Sequence, residues 1–350
     1  MSTDTSALAF PLGRRALRLA AGVALCMAAS FGLALPIPFI APALAVFLFT
    51  MMPRPLSFKA AAGLLLVVLL TTSVGLLLTP VLRHYPGSGV LAIGLSLFLA
   101  FRYGLRGGNA VVSLFLVVGL TMISAAGSVA FALALVVIEA LLKGLLVVLV
   151  ALPLCHWLFP DPAGLPAAPA PPTLPHALAS RVALRATLIV LPALLLALTD
   201  PLAYMPILMK SASLGKQSCA LAARGAAKEM LGSTLWAGVL ALLFWHALGL
   251  QVNLWMLFLW TLLFGLVIAA RIYRLRRSRF SPGFWLNTQA TMIILLGQSI
   301  QDSVAGKDVQ TAFAVRMGLF LSVALYACLM QHLLAWPARP SPSSNALMPS

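Results

Sequence analysis

Charged side chains are scarce in this sequence, and acidic side chains are the scarcest. Only 9% of its 350 residues are charged, with 7 acidic residues against 23 basic ones, whereas about a quarter of an ordinary soluble domain is charged. So few charges cannot cover a globule of this size, and 62% of the residues are apolar. The composition therefore excludes a soluble enzyme, a disordered chain and a disulfide scaffold, and it indicates a protein that crosses a membrane many times.

The sequence also lacks the short motifs that carry much of enzyme chemistry. Its 4 cysteines, Cys26, Cys155, Cys219 and Cys328, are far apart, so neither a zinc site nor a disulfide is indicated. The 5 histidines form no H-x-x-x-H pair, and there is neither a Walker lysine loop nor a G-x-S-x-G nucleophile motif. We therefore predict no enzyme, no metal and no cofactor, and coupling to ATP would need another chain.

Long apolar runs, such as 60–78 and 129–154, fill most of the chain. Runs near twenty residues match a helix that crosses a hydrocarbon core of about 30 Å, whereas a membrane barrel would show short segments of alternating polarity. We predict an all-α polytopic membrane protein with about twelve transmembrane helices, the second, fourth and eighth being short or interrupted by proline. The predicted segments are 16–35, 38–52, 60–80, 88–101, 109–124, 129–157, 182–199, 201–210, 225–248, 252–270, 284–300 and 311–335.

Basic residues are distributed between the predicted segments in a way that orients the chain. With the N-terminus in the cytoplasm, nineteen of the 23 basic residues lie on the cytoplasmic side, as the positive-inside rule requires. Arg83 and Lys307 lie outside, and Lys143 and Arg316 fall within segments. Both termini are therefore predicted to be cytoplasmic, in a bacterial inner membrane. The cytoplasmic cations are Arg14, Arg15, Arg18, Arg54, Lys59, Arg102, Arg106, Arg181, Arg185, Lys210, Lys216, Arg224, Lys228, Arg271, Arg274, Arg276, Arg277, Arg279 and Arg339.

The net charge of +16 acquires its meaning from this distribution. In a soluble chain it would suggest a nucleic acid partner. Here the cations lie beside membrane segments, where they face anionic lipid. The sequence therefore predicts the lipid bilayer as the partner and no nucleic acid.

A proline- and alanine-rich stretch at 160–175 separates two similar halves, 1–159 and 176–337. Each half holds six predicted segments, so both have the same orientation, and we predict two parallel six-helix repeats with a substrate site between them. The stretch 160–175 is predicted to be a cytoplasmic linker and 338–350 a disordered tail. The matching positions are RRALR at 14–18 with RVALR at 181–185, Y-x-L-R at 103–106 with 273–276, and T-M-I at 121–123 with 291–293.

One segment resembles a known family of exporters. Residues 224–238, RGAAKEMLGSTLWAG, are similar to the third membrane span of the fusaric acid resistance / aromatic acid exporter superfamily, with Lys228, Gly232, Thr234 and Gly238 at the matching positions. The loop at 102–110 resembles the loop before the fifth span of that family. The resemblance implies efflux of aromatic acid-like compounds from an inner membrane, with a periplasmic membrane-fusion adaptor as partner. The chain departs from classical members because it lacks their large cytoplasmic domains.

Ionisable residues inside membrane segments are costly and are candidates for function. Glu139 and Lys143 are four residues apart and share one helix face; they form either a self-neutralising pair or a proton-coupling site centred on Glu139. Arg316 needs a partner, which is either Asp302 or Asp308 in a structural ion pair, or the carboxylate of an anionic substrate.

The eleventh segment is the most polar of the twelve. Asn287, Thr291 and Gln298 fall near one helix face, and Gln289 lies roughly opposite. These side chains either hydrogen-bond between helices or line a substrate path together with Asn109 and Thr121 of the matching fifth segment.

Small residues and prolines suggest where helices approach closely or break. Gly63 and Gly75 in the third segment, and Gly232 and Gly238 in the ninth, can let helices pack closely. Proline-containing turns after the first and seventh segments, with Pro36, Pro38, Pro42, Pro201 and Pro206, resemble discontinuous helices, with ordinary tight turns as the alternative.

Together these features predict an efflux transporter for small amphipathic, anionic compounds, driven by a proton gradient. A non-transporting membrane scaffold or assembly subunit is the alternative, and an intramembrane enzyme acting on lipid-linked substrates fits less well because acidic residues are so few. The expected partners are a small-molecule substrate, a periplasmic adaptor and further copies of the chain.

Overall fold

The structure is a computed structural model that describes residues 3–52, 56–160, 174–220 and 226–334. Most of the predicted linker, the whole predicted tail, and Arg54, Arg224 and Arg339 lie outside these residues. The side chains of Lys216 and Cys219 are not described either.

The described part of the chain contains helices and no strands, which confirms the all-α prediction. Every predicted segment coincides with a helix, and the fifth consists of two helices joined by a π-helical turn. The eighth extends ten residues beyond its predicted end. The helices are α1 (Thr3–Gly32), α2 (Ile40–Met51), α3 (Phe58–His84), α4 (Pro86–Leu105), α5 (Ala110–Val118), the π turn (Gly119–Ile123), α6 (Ser124–Val129), α7 (Phe131–Leu158), α8 (His176–Thr199), α9 (Pro201–Ala220), α10 (Ala226–Gly249), α11 (Leu254–Ile272), α12 (Pro282–Val304) and α13 (Val309–Leu333).

Nine helices in the described ranges are long and apolar enough to cross a membrane, so the chain is a multi-pass membrane protein. They are α1, α3, α4, the continuous rod 110–129, α7, α8, α10, α11 and α13. The other helices fall short for different reasons. With 12 residues, α2 measures about 18 Å. Polar residues fill much of the second half of α9 and recur along α12.

Short polar side chains mark where several helices begin. In each case a side-chain oxygen accepts a hydrogen bond from a backbone N–H of the first turn, which would otherwise have no partner. Asn109, for example, accepts from Val111 N at 2.9 Å at the start of α5. The other caps are Ser57, Asn253, Ser281 and Asp308, at the starts of α3, α11, α12 and α13.

Two helical rods form the centre of the bundle. Nearly every side chain of α12 from Phe284 to Ser299 is buried, and so are most residues of the rod 110–129. Protein rather than lipid therefore surrounds the polar side chains of α12, which is where intramembrane polar groups are tolerated.

The contacts between helices follow one pattern in both halves of the chain. α1 contacts α2, α7 and α11, while α8 contacts α9, α13 and α4. α3 contacts α4, α7 and the π turn, while α10 contacts α11, α13 and α12. Between the halves, α2 contacts α12, and α9 contacts the π turn.

Glycines lie at close contacts between helices at three of the four predicted positions. A Cβ atom at Gly75 would lie 2.0 Å from the carbonyl oxygen of Gly119, so α3 and the π turn touch backbone to backbone. Gly232 and Gly238 face Phe284 and Met317 at short distances. The prediction is wrong for Gly63, around which a Cβ atom would meet nothing within 4 Å.

The proline-containing turns do not interrupt a helix. α1 ends at Gly32 and α2 starts at Ile40, and Ala34 takes a positive φ of 49° between them. α8 ends at Thr199 and α9 starts at Pro201. These are tight turns between consecutive helices, so the discontinuous-helix interpretation is wrong there. Within the described residues, the π turn interrupts the regular α-helical hydrogen bonding of the rod 110–129. Such turns are often found at functional sites.

Candidate functional site

Lys210 on α9 is the centre of a buried polar cluster. Its side chain is fully enclosed, with 1% of the residue exposed. The Nζ atom donates hydrogen bonds to Thr291 Oγ1 at 2.7 Å and to Asn287 Oδ1 at 3.4 Å, both on α12. The sequence places Lys210 at the cytoplasmic end of the eighth segment, and this is wrong because α9 continues to Ala220.

Asn287 links the three helices that meet at this cluster. Its Oδ1 also accepts from Ser213 Oγ of α9 at 3.2 Å, and its Nδ2 donates to Ser233 Oγ of α10 at 2.6 Å. Ser233 Oγ in turn donates to the carbonyl oxygen of Met230 at 3.0 Å. We call Lys210, Ser213, Ser233, Asn287 and Thr291 the Lys210 cluster.

The partners of the Lys210 amine are all neutral. Within the described part of the chain, no carboxylate forms an ion pair with it and Nζ makes no third hydrogen bond, although an ammonium has three donors. Burying an ammonium costs several kcal/mol even after the protein relaxes, and neutral acceptors recover only part of that. The cluster is therefore an electropositive point suited to an anionic ligand.

The N-terminal end of α12, close to Asn287, is held by contacts with α10 and α11. Ser281, the N-cap of α12, donates to Glu229 of α10 through Oγ at 2.5 Å and through its backbone N at 3.3 Å. The guanidinium of Arg271 lies 4.6 Å from the centre of the Trp285 ring, a distance at which a cation is attracted to the ring face.

Two glutamines of α12 are buried with unused hydrogen-bonding atoms. Gln289 is 0% exposed, and neither its Nε2 nor its Oε1 has a partner within the described residues; Gln298 is 5% exposed and its Oε1 has none. A buried polar atom without a partner costs about 1–3 kcal/mol, so such atoms call for a functional explanation.

The two glutamines occupy different sides of α12. Gln298 follows Thr291 by seven residues, two turns and about 10 Å along the same face. Gln289 lies on the opposite side, because a Cβ atom at Gly265 of α11 would lie 3.5 Å from its Nε2. The predicted division of the polar residues into two faces is confirmed, and one of these faces carries the Lys210 cluster.

The structure separates the two candidates of the fifth segment. Thr121 is buried in the π turn, where its Oγ1 donates to the carbonyl oxygen of Val117 at 2.7 Å. Since α9 contacts the π turn, Thr121 belongs to the wall next to the helix that carries Lys210. Asn109 is exposed and caps α5 at the end of the rod, so it lies apart from the cluster.

Glu139 and Lys143 form an ion pair on the outer surface of α7. The Lys143 Nζ and Glu139 Oε1 atoms are 2.5 Å apart, and the two side chains are 50% and 49% exposed. The expected pairing is confirmed. The structure places the pair outside the bundle, away from the polar face of α12.

Arg316 is paired with Asp302, one of its two predicted partners. Its Nη1 contacts Asp302 Oδ2, and the aspartate side chain is only 6% exposed. Asp308 instead caps α13, where hydrogen bonds from Thr311 and from the backbone N–H of Gln310 lower the pKa of its exposed carboxyl group. Arg316 therefore already has a carboxylate of the protein as its partner.

A family model described as "Protein of unknown function (DUF2955)" matches residues 15–155. The match ends at the C-terminal end of α7, close to the predicted end of the first half at residue 159. The chain has no match among curated proteins or solved structures.

Proposed function

We propose that this protein is an exporter of small amphipathic organic anions, such as aromatic acids, in a bacterial inner membrane. One observation carries the proposal: the fully buried amine of Lys210 donates only to neutral side chains in the described part of the chain. Such a site gains most from a ligand that brings its own negative charge.

A carboxylate is the ligand that completes this site best. On reaching Nζ it would replace the long 3.4 Å contact with Asn287 by a charge-assisted hydrogen bond, which is shorter and stronger than a neutral one. Beyond the polar face, apolar side chains fill the core of the bundle, which suits an aromatic body. Lys210 is closed off in this conformation, so binding requires the helices to open.

The arrangement of the helices supports a transporter that is built from two repeats. Equivalent helices of the two halves make equivalent contacts, and α9 touches the π turn of the first half as well as α12 of the second. We infer two parallel repeats with cytoplasmic termini and twelve crossings. The enclosed position of α2 and α12 favours this, because a short or polar helix is tolerated where protein covers it.

Proton coupling is proposed to run through Lys210. An interior amine binds an anion more tightly while it carries a proton, so gain or loss of that proton changes the affinity for the substrate. Glu139 is the other coupling candidate, and its outward position argues for Lys210. Comparison of Lys210→Met with Glu139→Gln separates the two assignments.

Transport into proteoliposomes under an imposed pH gradient tests the proposal. The probes are radiolabelled 4-hydroxybenzoate and its neutral analogue 4-hydroxybenzamide, and the matched control for Lys210→Met is Lys59→Met at the exposed start of α3. We expect gradient-dependent movement of the acid with the unmodified protein and Lys59→Met, and at least a tenfold loss with Lys210→Met. No movement of either probe, with or without a periplasmic adaptor, would favour the membrane scaffold.

A further inference from the structure

A groove of about 530 Å³ lies between α4 and α8 on the outer surface of the bundle. Apolar side chains line it from Val90 to Phe98 on α4 and from Leu184 to Leu191 on α8. Ser180 and Arg181 stand at one end. Leu91, Leu95 and Leu184 of its lining are at least 50% exposed, so in a membrane the groove faces lipid.

The length of the groove matches one leaflet of a bilayer. From Arg181 to Leu191 the α8 helix rises by about 15 Å, half of a hydrocarbon core of about 30 Å. Arg181 belongs to the cations assigned to the cytoplasmic side, so the groove follows the cytoplasmic leaflet from the headgroup level to the bilayer centre. One extended acyl chain has this shape and depth.

Arginines gather where the groove reaches the headgroup level. Arg102 lies one helical turn beyond Phe98 on the same face of α4, and its buried Nε has no hydrogen-bond partner within the described residues. Arg106 Nη2 lies 2.9 Å from His176 Nε2, which joins the ends of α4 and α8. Guanidinium groups bind phosphate with two parallel hydrogen bonds.

The equivalent contact, between α1 and α11, also joins the two halves and is packed more closely. There α1 packs along α11, and a Cβ atom at Gly265 would lie 3.4 Å from the Ala20 backbone. At Gly94, in the groove, the same atom would meet only the end of the Leu191 side chain at 3.4 Å.

We propose that this groove binds an anionic phospholipid of the cytoplasmic leaflet, with an acyl chain between α4 and α8 and the phosphate against Arg102 and Arg181. This site is independent of the proposed export. A lipid bound there would form part of the contact between the two halves.

Native mass spectrometry of the protein released from nanodiscs tests this, because it counts bound lipids without any transport readout. The nanodiscs contain equal amounts of phosphatidylglycerol and phosphatidylcholine. Gly94→Leu fills the groove, and Gly63→Leu is the matched control, because Gly63 has open space around its Cβ position. We expect one retained phosphatidylglycerol on the unmodified protein and on Gly63→Leu, and at least a tenfold lower occupancy on Gly94→Leu.

Two further variants keep the test decisive if Gly94→Leu does not fold. Leu184→Trp narrows the groove from an exposed position and should also remove the lipid. Arg102→Gln combined with Arg181→Gln should keep a lipid but lose at least tenfold of the preference for phosphatidylglycerol over phosphatidylcholine. Unchanged lipid occupancy with a filled groove, or an unchanged preference without the arginines, would overturn the proposal.

Discussion

Replacing Lys210 by methionine should remove function without removing stability. Methionine has a similar length and fills the same space with apolar atoms. The substitution loses the hydrogen bond to Thr291, worth about 1.5–3 kcal/mol because the donor is charged, and the long contact to Asn287, which adds little. It also removes a buried ammonium, whose enclosure costs several kcal/mol.

These two terms give the expected size of the effect. Their difference leaves Lys210→Met between unchanged and about 3 kcal/mol more stable than the unmodified protein. Asn287 Oδ1 keeps the hydrogen bond from Ser213 at 3.2 Å, so the loss of a partner is confined to Thr291 Oγ1. If Lys210 served instead to stabilise the ligand-free protein, Lys210→Met would lower the free energy of unfolding.

Asn287→Leu provides the contrasting variant. It removes the acceptor shared by Lys210 and Ser213 and the donor to Ser233, and it leaves buried polar groups without partners. At about 1–3 kcal/mol for each group, we expect a loss of several kcal/mol.

Thermal unfolding in detergent, followed by tryptophan fluorescence, measures both effects. We expect an equal or higher midpoint for Lys210→Met and a clearly lower one for Asn287→Leu, with Lys59→Met unchanged. A midpoint for Lys210→Met as low as that of Asn287→Leu would refute the reasoning, because Lys210 would then be a structural anchor.

Three further predictions follow from the other contacts. Gly75→Ala should destabilise the protein by at least about 3 kcal/mol, because its Cβ would lie 2.0 Å from the Gly119 carbonyl oxygen. Gly63→Ala should change the unfolding midpoint little, and equal midpoints for the two variants would contradict the close approach. Arg316→Met should cost about 3–5 kcal/mol of stability by leaving the buried Asp302 charge unpaired. Adding Asp302→Asn to the same chain should restore part of that stability, and additive losses in this double-mutant cycle would argue against the pair. Glu139→Gln should keep gradient-driven transport of 4-hydroxybenzoate in proteoliposomes within about twofold of the unmodified protein, and loss of transport would move the coupling role to the outer face of α7.

The positions of the helices could be predicted from the sequence because they depend on a local property. Length and hydropathy define a membrane helix directly. Each of the twelve predicted segments overlaps a helix, and within the described residues nine helices are long and apolar enough to cross a membrane. The two faces of α12 also followed from spacing alone, since Asn287, Thr291 and Gln298 repeat at helical intervals. Because few acidic residues lie nearby in the sequence, the partners predicted for Arg316 were Asp302, Asp308 or a substrate carboxylate, and the structure selects Asp302.

The orientation of individual side chains could not be predicted in the same way. In a membrane bundle the lipid-facing and interior sides of a helix are both apolar, so the hydrophobic pattern does not distinguish them. Glu139 therefore looked like an interior residue although it lies on the outer face of α7.

Lys210 was misplaced for a related reason. Charge counting assigns a lysine near the end of an apolar run to the membrane surface, and only the continuation of α9 to Ala220 takes Lys210 into the interior. The polar residues that follow it, Ser211 and Ser213, were the available signal. They are typical of a helix that faces other helices rather than lipid.

Equilibrium binding to the purified protein tests most directly the claim that the Lys210 amine holds the carboxylate of the substrate. Scintillation proximity measures the affinity for radiolabelled 4-hydroxybenzoate, with unlabelled 4-hydroxybenzamide as competitor. The account predicts that the unmodified protein prefers the acid to the amide by at least tenfold and that Lys210→Met loses this preference while remaining folded. An unchanged preference for the acid in folded Lys210→Met would contradict the account.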